Sequence, residues 1–180
     1  MPSSRLGVFV AISLFASSAF AGYEQPKPPR QLGALKFFVG KWKCRGKLHE
    51  MPGRPAGAFT ATTEVKVGLG GHWATATYIQ HKTKTNPAPV SAMFMYGYDS
   101  KNKRYISSYR NNYGARAELS STGWRGNKWV DEGPLYDREG HKMKMRMTLH
   151  KLGKSKFKAL AEFSGPDGSW RPFNRSECRR

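Results

Sequence analysis

Hydrophobic and polar residues alternate strictly from Lys142 to Leu149, the most regular pattern in the chain. A period of two residues is typical of a β-strand with one face on a core and the other in solvent. The positions on the apolar face are Met143, Met145, Met147 and Leu149. The positions on the opposite face are Lys142, Lys144, Arg146 and Thr148. The segment therefore predicts a strand with an apolar inner face and a cationic outer face.

Similar segments follow one another along most of the chain, separated by Gly, Pro, Asn and Asp at intervals of about eight to twelve residues. The predicted strands are 41–49, 58–67, 72–81, 91–98, 104–111, 115–121, 128–132, 142–150, 156–163 and 169–178. In the segment 91–98 the inward phase is ambiguous, because both alternating sets contain large apolar residues. Helical spacing of apolar residues predicts one short helix over 31–39. Short connections favour pairing of each strand with the next, so we predict an all-β fold, an antiparallel up-and-down β-barrel of about ten strands.

Closure of the barrel is indicated by its edges and by its two cysteines. A meander leaves two exposed edges unless its first and last strands pair. Cys44 lies in the first predicted strand and Cys178 in the last, so a disulfide between them would fit closure in an oxidising compartment. The alternatives are two free thiols or a disulfide between chains.

The N-terminal segment reads as a targeting sequence. Residues 1–21 contain Arg5, then a short apolar run, then small residues at Ala19 and Ala21, which predicts a cleaved secretory signal rather than a retained anchor. Prolines make 22–30 an extended leader, and 31–180 forms the barrel domain. We therefore expect a periplasmic or secreted monomer that does not span a membrane.

The charge is strongly positive, with 31 Lys and Arg against 12 Asp and Glu and a formal net charge of +19. Such an excess favours anionic partners. The cations expected to share one outer face of two neighbouring strands are Lys142, Lys144, Arg146, Lys156 and Lys158. This face predicts docking on an anionic lipid or polysaccharide of the cell envelope, and a solvated, screened surface is the alternative. Specific nucleic-acid recognition is not expected, because the aromatic residues occupy core phases.

Two sequence motifs carry a family resemblance. The short helix leading to Gly40-Lys41-Trp42 resembles the entrance of lipocalin-like barrels, in which the Trp plugs one end. The run Tyr96-Gly97-Tyr98-Asp99 is similar to an uncharacterised bacterial family of exported domains of unknown function in the calycin superfamily. The resemblance covers roughly Gln31 to Cys178. It implies a barrel with a cavity for a small apolar molecule, and an Arg of the last strand, Arg171 or Arg175, stacked on Trp42.

The interior is therefore the first candidate site. We expect Trp42, Trp73, Met143, Met145 and Met147 to contact a small apolar or amphipathic ligand, with the methionines adapting to its shape. Simple core packing explains the same residues equally well.

Metal binding is a weaker interpretation of the methionines. Thioethers suit Cu(I), and Met93 and Met95 together with His141 and His150 could complete a patch around Met143, Met145 and Met147. Alternation alone explains the Met-X-Met spacing, so no metal or cofactor is predicted. Of the histidines, His81 shares its phase with Trp73 and is a candidate to face inward near a rim.

Catalytic motifs are missing from the sequence. It has no Gly-X-Ser-X-Gly elbow, no phosphate-binding loop and no dinucleotide fingerprint. Asp131 and Glu132 are adjacent and, as neighbours on a strand, should face opposite sides. The sequence thus predicts a protein that is not an enzyme.

Overall fold

A computed structural model describes residues 25–51, 54–165 and 167–180. The predicted signal segment 1–21 lies outside them. The described chain forms a closed antiparallel barrel of ten strands in sequence order, which confirms the predicted fold class. The strands are β1 (Gly40–Leu48), β2 (Gly57–Gly68), β3 (Trp73–Gln80), β4 (Ser91–Asp99), β5 (Arg104–Asn111), β6 (Arg116–Ser121), β7 (Lys128–Tyr136), β8 (Lys142–Lys151), β9 (Lys156–Ser164) and β10 (Trp170–Arg179). A 3₁₀ helix, Arg30–Phe37, precedes β1, and a short 3₁₀ turn, Leu69–Gly71, precedes β3.

The seam of the barrel is the pairing of β1 with β10, and the disulfide lies on it. Cys44 and Cys178 are directly opposite in the register and are bonded, as predicted. Both are buried, since they share the inward phase of their strands. A bond across 134 residues stabilises the fold by about 4–5 kcal/mol in the chain-entropy model.

One end of the barrel is closed by the 3₁₀ helix. Three side chains of the barrel donate hydrogen bonds to backbone oxygens at this segment: Trp42 Nε1 to Phe38 (2.7 Å), Trp124 Nε1 to Ala34 (3.0 Å) and Tyr105 Oη to Gln31 (2.8 Å). Rings from the helix and the strands pack edge to face beneath it, which satisfies both the apolar and the polar parts of the indoles. Trp42 closes this end, where the resemblance to lipocalin-like barrels placed it.

The arginine that covers Trp42 is Arg180, with its guanidinium carbon 4.5 Å from a ring centroid. The expectation of Arg171 or Arg175 is wrong for a reason of register. β10 reaches the helix end only with its last residues, because Arg179 pairs with Lys43, whereas Arg175 pairs with Lys47 farther up β1. Arg171 lies farther still, at the start of β10.

The inward phase of β3 and β4 differs from two of the sequence predictions. Ala92, Phe94 and Tyr96 face the interior, whereas Met93 is 59% exposed on the outside. Trp73 is also on the outer face and covers Gly97 of the neighbouring strand, where an added Cβ would lie 2.5 Å from its ring. An indole lying over a strand glycine replaces the missing side chain there.

β7 is longer than predicted, since it runs through Gly133 and Pro134 to Tyr136 instead of ending at Glu132. Between Glu132 and Leu135 this strand does not pair with β6. Pro134, which has no N–H to donate, lies in that unpaired stretch and therefore interrupts no continuous ladder of hydrogen bonds. Gly133 is required because a Cβ there would collide with the carbonyl oxygen of Glu118.

Candidate ligand-binding cavity

The interior above the closed end contains a cavity of about 120 Å³. Its wall is mostly apolar and is contributed by inward side chains of nine of the ten strands, all but β6, together with residues of the helical segment. The space exists because several inward positions of β3, β4 and β9 are alanine. These residues are Ala74, Ala76, Ala92, Ala159 and Ala161. β3 and β4 lie across the ring from β9, and the number of strands sets the width of the barrel, so these small side chains leave unfilled space between them.

Three of the five predicted wall residues line this cavity. Trp42, Met145 and Met147 contribute to its wall. Met143 has the same inward phase and packs against the core, but it lies outside the lining. Trp73 does not contact the cavity, because it is on the outer face of β3.

The end opposite the helix is covered by two loops that meet at Arg54. This residue lies in the β1–β2 connection, and its Nη2 is 3.3 Å from Gln80 Oε1 and 3.4 Å from Asn86 Oδ1. The guanidinium carbon also lies 5.0 Å from the ring centroid of Phe173, a cavity residue. Burial lowers the pKa of Arg54, against small opposing contributions from nearby tyrosines. The guanidinium therefore lies beside Gln80 and Phe173, two residues that line the apolar chamber, without itself being part of the lining.

Two phenols accompany the guanidinium at this end. Tyr78 Oη accepts a hydrogen bond from Gln80 Nε2 (3.0 Å), and Tyr109 Oη accepts one from Asn111 Nδ2 (2.9 Å). Both tyrosines line the cavity. Burial raises the pKa of each hydroxyl, so both remain protonated donors.

A carboxyl group is buried within the barrel wall beside the cavity. Asp131 is 2% exposed; Trp129 Nε1 donates to its Oδ2 at 2.9 Å, while Oδ1 has no hydrogen-bond partner in the described part of the chain. Burial raises the pKa of Asp131 to about 7. Tyr96 is partly buried and lines the cavity, and desolvation of its hydroxyl together with the charge of Asp131 raises its pKa. The two groups therefore favour their neutral forms. Glu132 is exposed on the outer side, as the alternation predicted.

Neither Asp131 nor Arg54 was identified as a site residue from the sequence. The signal for Asp131 was present: it shares its phase with Trp129 and Leu135, two residues that any barrel would bury. Arg54 gave no comparable signal, because it lies in an irregular connection where alternation does not apply.

Comparison with known proteins identifies the family. A family model described as "Protein of unknown function (DUF1579)" matches residues 25–180. The chain belongs to this family. The expected resemblance to a family of domains of unknown function is thereby confirmed.

A solved structure supports the fold independently. The crystal structure of Rv2717c from M. tuberculosis is similar to this DUF1579 member with a TM-score of 0.65 and 13% sequence identity. The match covers 86% of this chain and 99% of that chain. At this identity the likeness concerns the fold alone. No curated protein matches this chain significantly.

The residues of the predicted cationic face do not lie together, because the register of β8 with β9 separates them. β8 and β9 are antiparallel, so Lys158 lies opposite His150 and Arg146 lies opposite Glu162. Lys144 is six residues from His150, about 20 Å along the strand, and Lys142 is farther away. The prediction that these lysines adjoin Lys156 and Lys158 is wrong, because residues near a hairpin turn pair with one another and not with the far ends.

Arg146 and Lys156 are also partly neutralised. Arg146 Nε is 2.9 Å from Glu162 Oε2, and its guanidinium lies 4.2 Å from the Trp170 ring centroid. Lys156 Nζ is 2.9 Å from Glu177 Oε2. Both cations have carboxylate partners on neighbouring strands.

A different cationic face is formed by the outward residues of β1, β10 and β9. Across the β1–β10 pairing, Lys47 lies opposite Arg175, Arg45 opposite Glu177 and Lys43 opposite Arg179. On the other side of β10, Lys158 of β9 lies opposite Glu177, and Lys156 lies opposite Arg179. We call this set the seam face: Lys43, Arg45, Lys47, Lys156, Lys158, Arg175, Arg179 and Glu177. It holds seven cations and one carboxylate.

The sulfur and histidine ligands do not converge. Met93 and Met95 are separated from Met145 and Met147 by the barrel wall, so the patch required for copper is not formed. His141 pairs with Asp137 at 2.8 Å on the exposed β7–β8 turn. The hydrogen bond to Asp137 and the negative charge of that residue raise the pKa of His141.

His81 does not face inward, contrary to its predicted phase. It is exposed on the outer side, where its Nδ1 is 3.4 Å from Thr60 Oγ1. Trp73 and His81 belong to the same alternating set of positions, and in the structure this set faces outward, so both residues lie on the outer side.

Among the described residues, neither helical segment has the length and hydropathy needed to cross a bilayer.

Proposed function

We propose that this protein is an exported, non-enzymatic barrel that binds a small apolar or amphipathic molecule in its interior. The observation that carries the proposal is the apolar cavity between the helix plug and the Arg54 end. A closed barrel filled with large side chains needs no such space, and each unfilled volume costs packing energy. The alanines of β3, β4 and β9 keep the space open against that cost.

The size of the cavity limits the ligand. Engineered apolar cavities of about 150 Å³ stay dry and bind benzene or xenon. A cavity of about 120 Å³ is slightly smaller, so the part of the ligand that enters it has few carbon atoms. A larger molecule requires the methionine side chains of the wall to change rotamer, which their unbranched chains allow.

The test is to fill the cavity from one of its alanines. Xenon or benzene binding is followed by NMR of the full chain, before and after Ala76→Leu, with Ala161→Val as a smaller second variant. We expect saturable shifts of cavity methyl groups in the wild type and at least tenfold weaker binding in both variants. The matched control is Thr77→Leu, on the exposed side of the same strand, which should bind as the wild type does. Equal binding by all four proteins, or none by the wild type, would overturn the proposal.

A second candidate function is docking on an anionic lipid or polysaccharide through the seam face. Its support is the concentration of seven cations around Glu177 on three adjacent strands. His49, whose buried Nε2 has no hydrogen-bond partner among the residues that the structure describes, lines a shallow groove on this face with Arg45 and Arg175. Like charges opposite each other destabilise a sheet, and an anionic partner would relieve that repulsion.

Charge reversal tests this second candidate. Lys47→Glu and Lys158→Glu should weaken binding to vesicles containing anionic lipid and reduce the slope of affinity against salt concentration. Lys144→Glu makes the same change outside the seam face and should have a smaller effect. Equal losses in all three variants would show that net charge, and not this face, determines binding.

A further inference from the structure

The positive charge of Arg54 lies beside two residues of the cavity wall, Gln80 and Phe173, and none of the described carboxylates neutralises it. Among the described residues, no carboxylate oxygen lies within 4.0 Å of the Arg54 guanidinium, although five other arginines form such pairs. Its two hydrogen bonds, of 3.3 and 3.4 Å, go to neutral amide oxygens and use one of its three nitrogens. Half-buried charges are normally paired with an opposite charge. The remaining N–H donors of Arg54 are therefore available to an anion.

The neighbouring polar groups supply donors and few free acceptors. Gln80 Oε1 already accepts from Arg54, from Asn86 Nδ2 (3.1 Å) and from the Val90 amide (3.1 Å). Tyr78 Oη and Tyr109 Oη each accept an amide hydrogen, so each phenol keeps its own proton for donation. A guanidinium beside two phenol donors and a saturated acceptor is complementary to a negative group.

The chemical class of that negative group follows from its surroundings. A single guanidinium with its planar fork matches a carboxylate in a bidentate geometry. The apolar chamber directly below can receive a short tail, about as large as benzene or smaller. We propose that Arg54, Tyr78 and Tyr109 bind the carboxylate of a short-chain or aromatic monocarboxylic acid whose apolar part lies in the cavity. This inference rests on the proposed interior binding site and names the class of ligand.

The first experiment compares two matched pairs of ligands on the wild-type chain. Hexanoate is compared with hexan-1-ol, and benzoate with benzyl alcohol, by NMR titration at pH 7. We expect each carboxylate to bind at least tenfold more tightly than its alcohol. Lowering the pH through the carboxyl pKa of the ligand, about 4, should remove the preference. Equal affinity for acid and alcohol would refute the inference and leave interior binding intact, whereas no binding of either would refute both.

The second experiment assigns the preference to Arg54. Arg54→Gln should lose the preference for carboxylate and keep the affinity for the alcohols, while Arg54→Lys should retain part of it. Tyr78→Phe should weaken carboxylate binding by severalfold without affecting the alcohols. Arg104→Gln removes an exposed arginine of β5 and should behave as the wild type. A preference that survives in Arg54→Gln, or is lost equally in Arg104→Gln, would contradict the assignment.

Discussion

Replacing Asp131 with asparagine should make the protein more stable above pH 7 and leave it nearly unchanged at pH 4. The carboxyl is fully buried beside Trp129, and burial raises its pKa from 3.8 to about 7. In the unfolded chain the same group ionises near pH 4. Between these values the folded protein holds a proton that the unfolded chain has lost, so stability falls as the pH rises.

The magnitude follows from the separation of the two pKa values. One pH unit corresponds to about 1.4 kcal/mol, and the interval is about three units, so Asp131 costs about 4 kcal/mol at pH 7 and above. Below pH 4 both states are protonated and the cost disappears. Several partly exposed carboxyls, such as Asp99 and Glu177, have lowered pKa values that act in the opposite direction at low pH. They are common to both proteins and cancel in the difference.

The assay is urea denaturation of wild type and Asp131→Asn at several pH values from 4 to 8.5. The difference in unfolding free energy should grow from near zero to about 4 kcal/mol and then become constant. The amide oxygen that the substitution introduces can still accept the Trp129 hydrogen bond, so a pH-independent offset would reflect packing alone. Glu132→Gln, on the exposed side of the same strand, is the control and should show no such trend. Parallel curves for wild type and Asp131→Asn would refute the reasoning.

Two further changes test the barrel itself. Replacing both Cys44 and Cys178 with alanine should lower the free energy of unfolding by about 4–5 kcal/mol, measured by denaturation against the oxidised wild type; a loss below about 1 kcal/mol would show that the strand pairing alone holds the seam. Gly133→Ala should cost about 1–3 kcal/mol through collision with Glu118, seen as a lower melting temperature, whereas Gly33→Ala, which has open space around its Cβ, should cost little.

Alternation predicted the strands well because each strand has one face on the interior. The segment Lys142–Leu149 places Met145 and Met147 inside, and the closing disulfide follows from cysteines in the first and last strands. The phase of β4 could not be obtained this way, because Met93 and Phe94 are both large and apolar. Only packing against the facing strands decides which of them is buried.

The candidate site was less predictable than the fold. The prediction of the cationic face was wrong because it grouped residues by their closeness in sequence, although the β8–β9 turn already required Lys144 and Lys158 to be far apart. The seam face depends on the pairing of β1 with β10, which brings together residues from the two ends of the barrel sequence. Arg54 reaches two residues of the cavity wall, Gln80 and Phe173, from a loop to which alternation does not apply.

Under the proposed interior binding, the helix plug determines which end of the barrel a ligand uses to enter and leave. Three hydrogen bonds from indole and phenol groups connect its backbone to the barrel. Moving the helix away would break these bonds and expose the aromatic rings beneath it to water. The opposite end is covered by loop residues held by longer hydrogen bonds to neutral groups. Uptake and release are therefore expected through that end, at rates governed by movement of the loops and not by opening of the barrel.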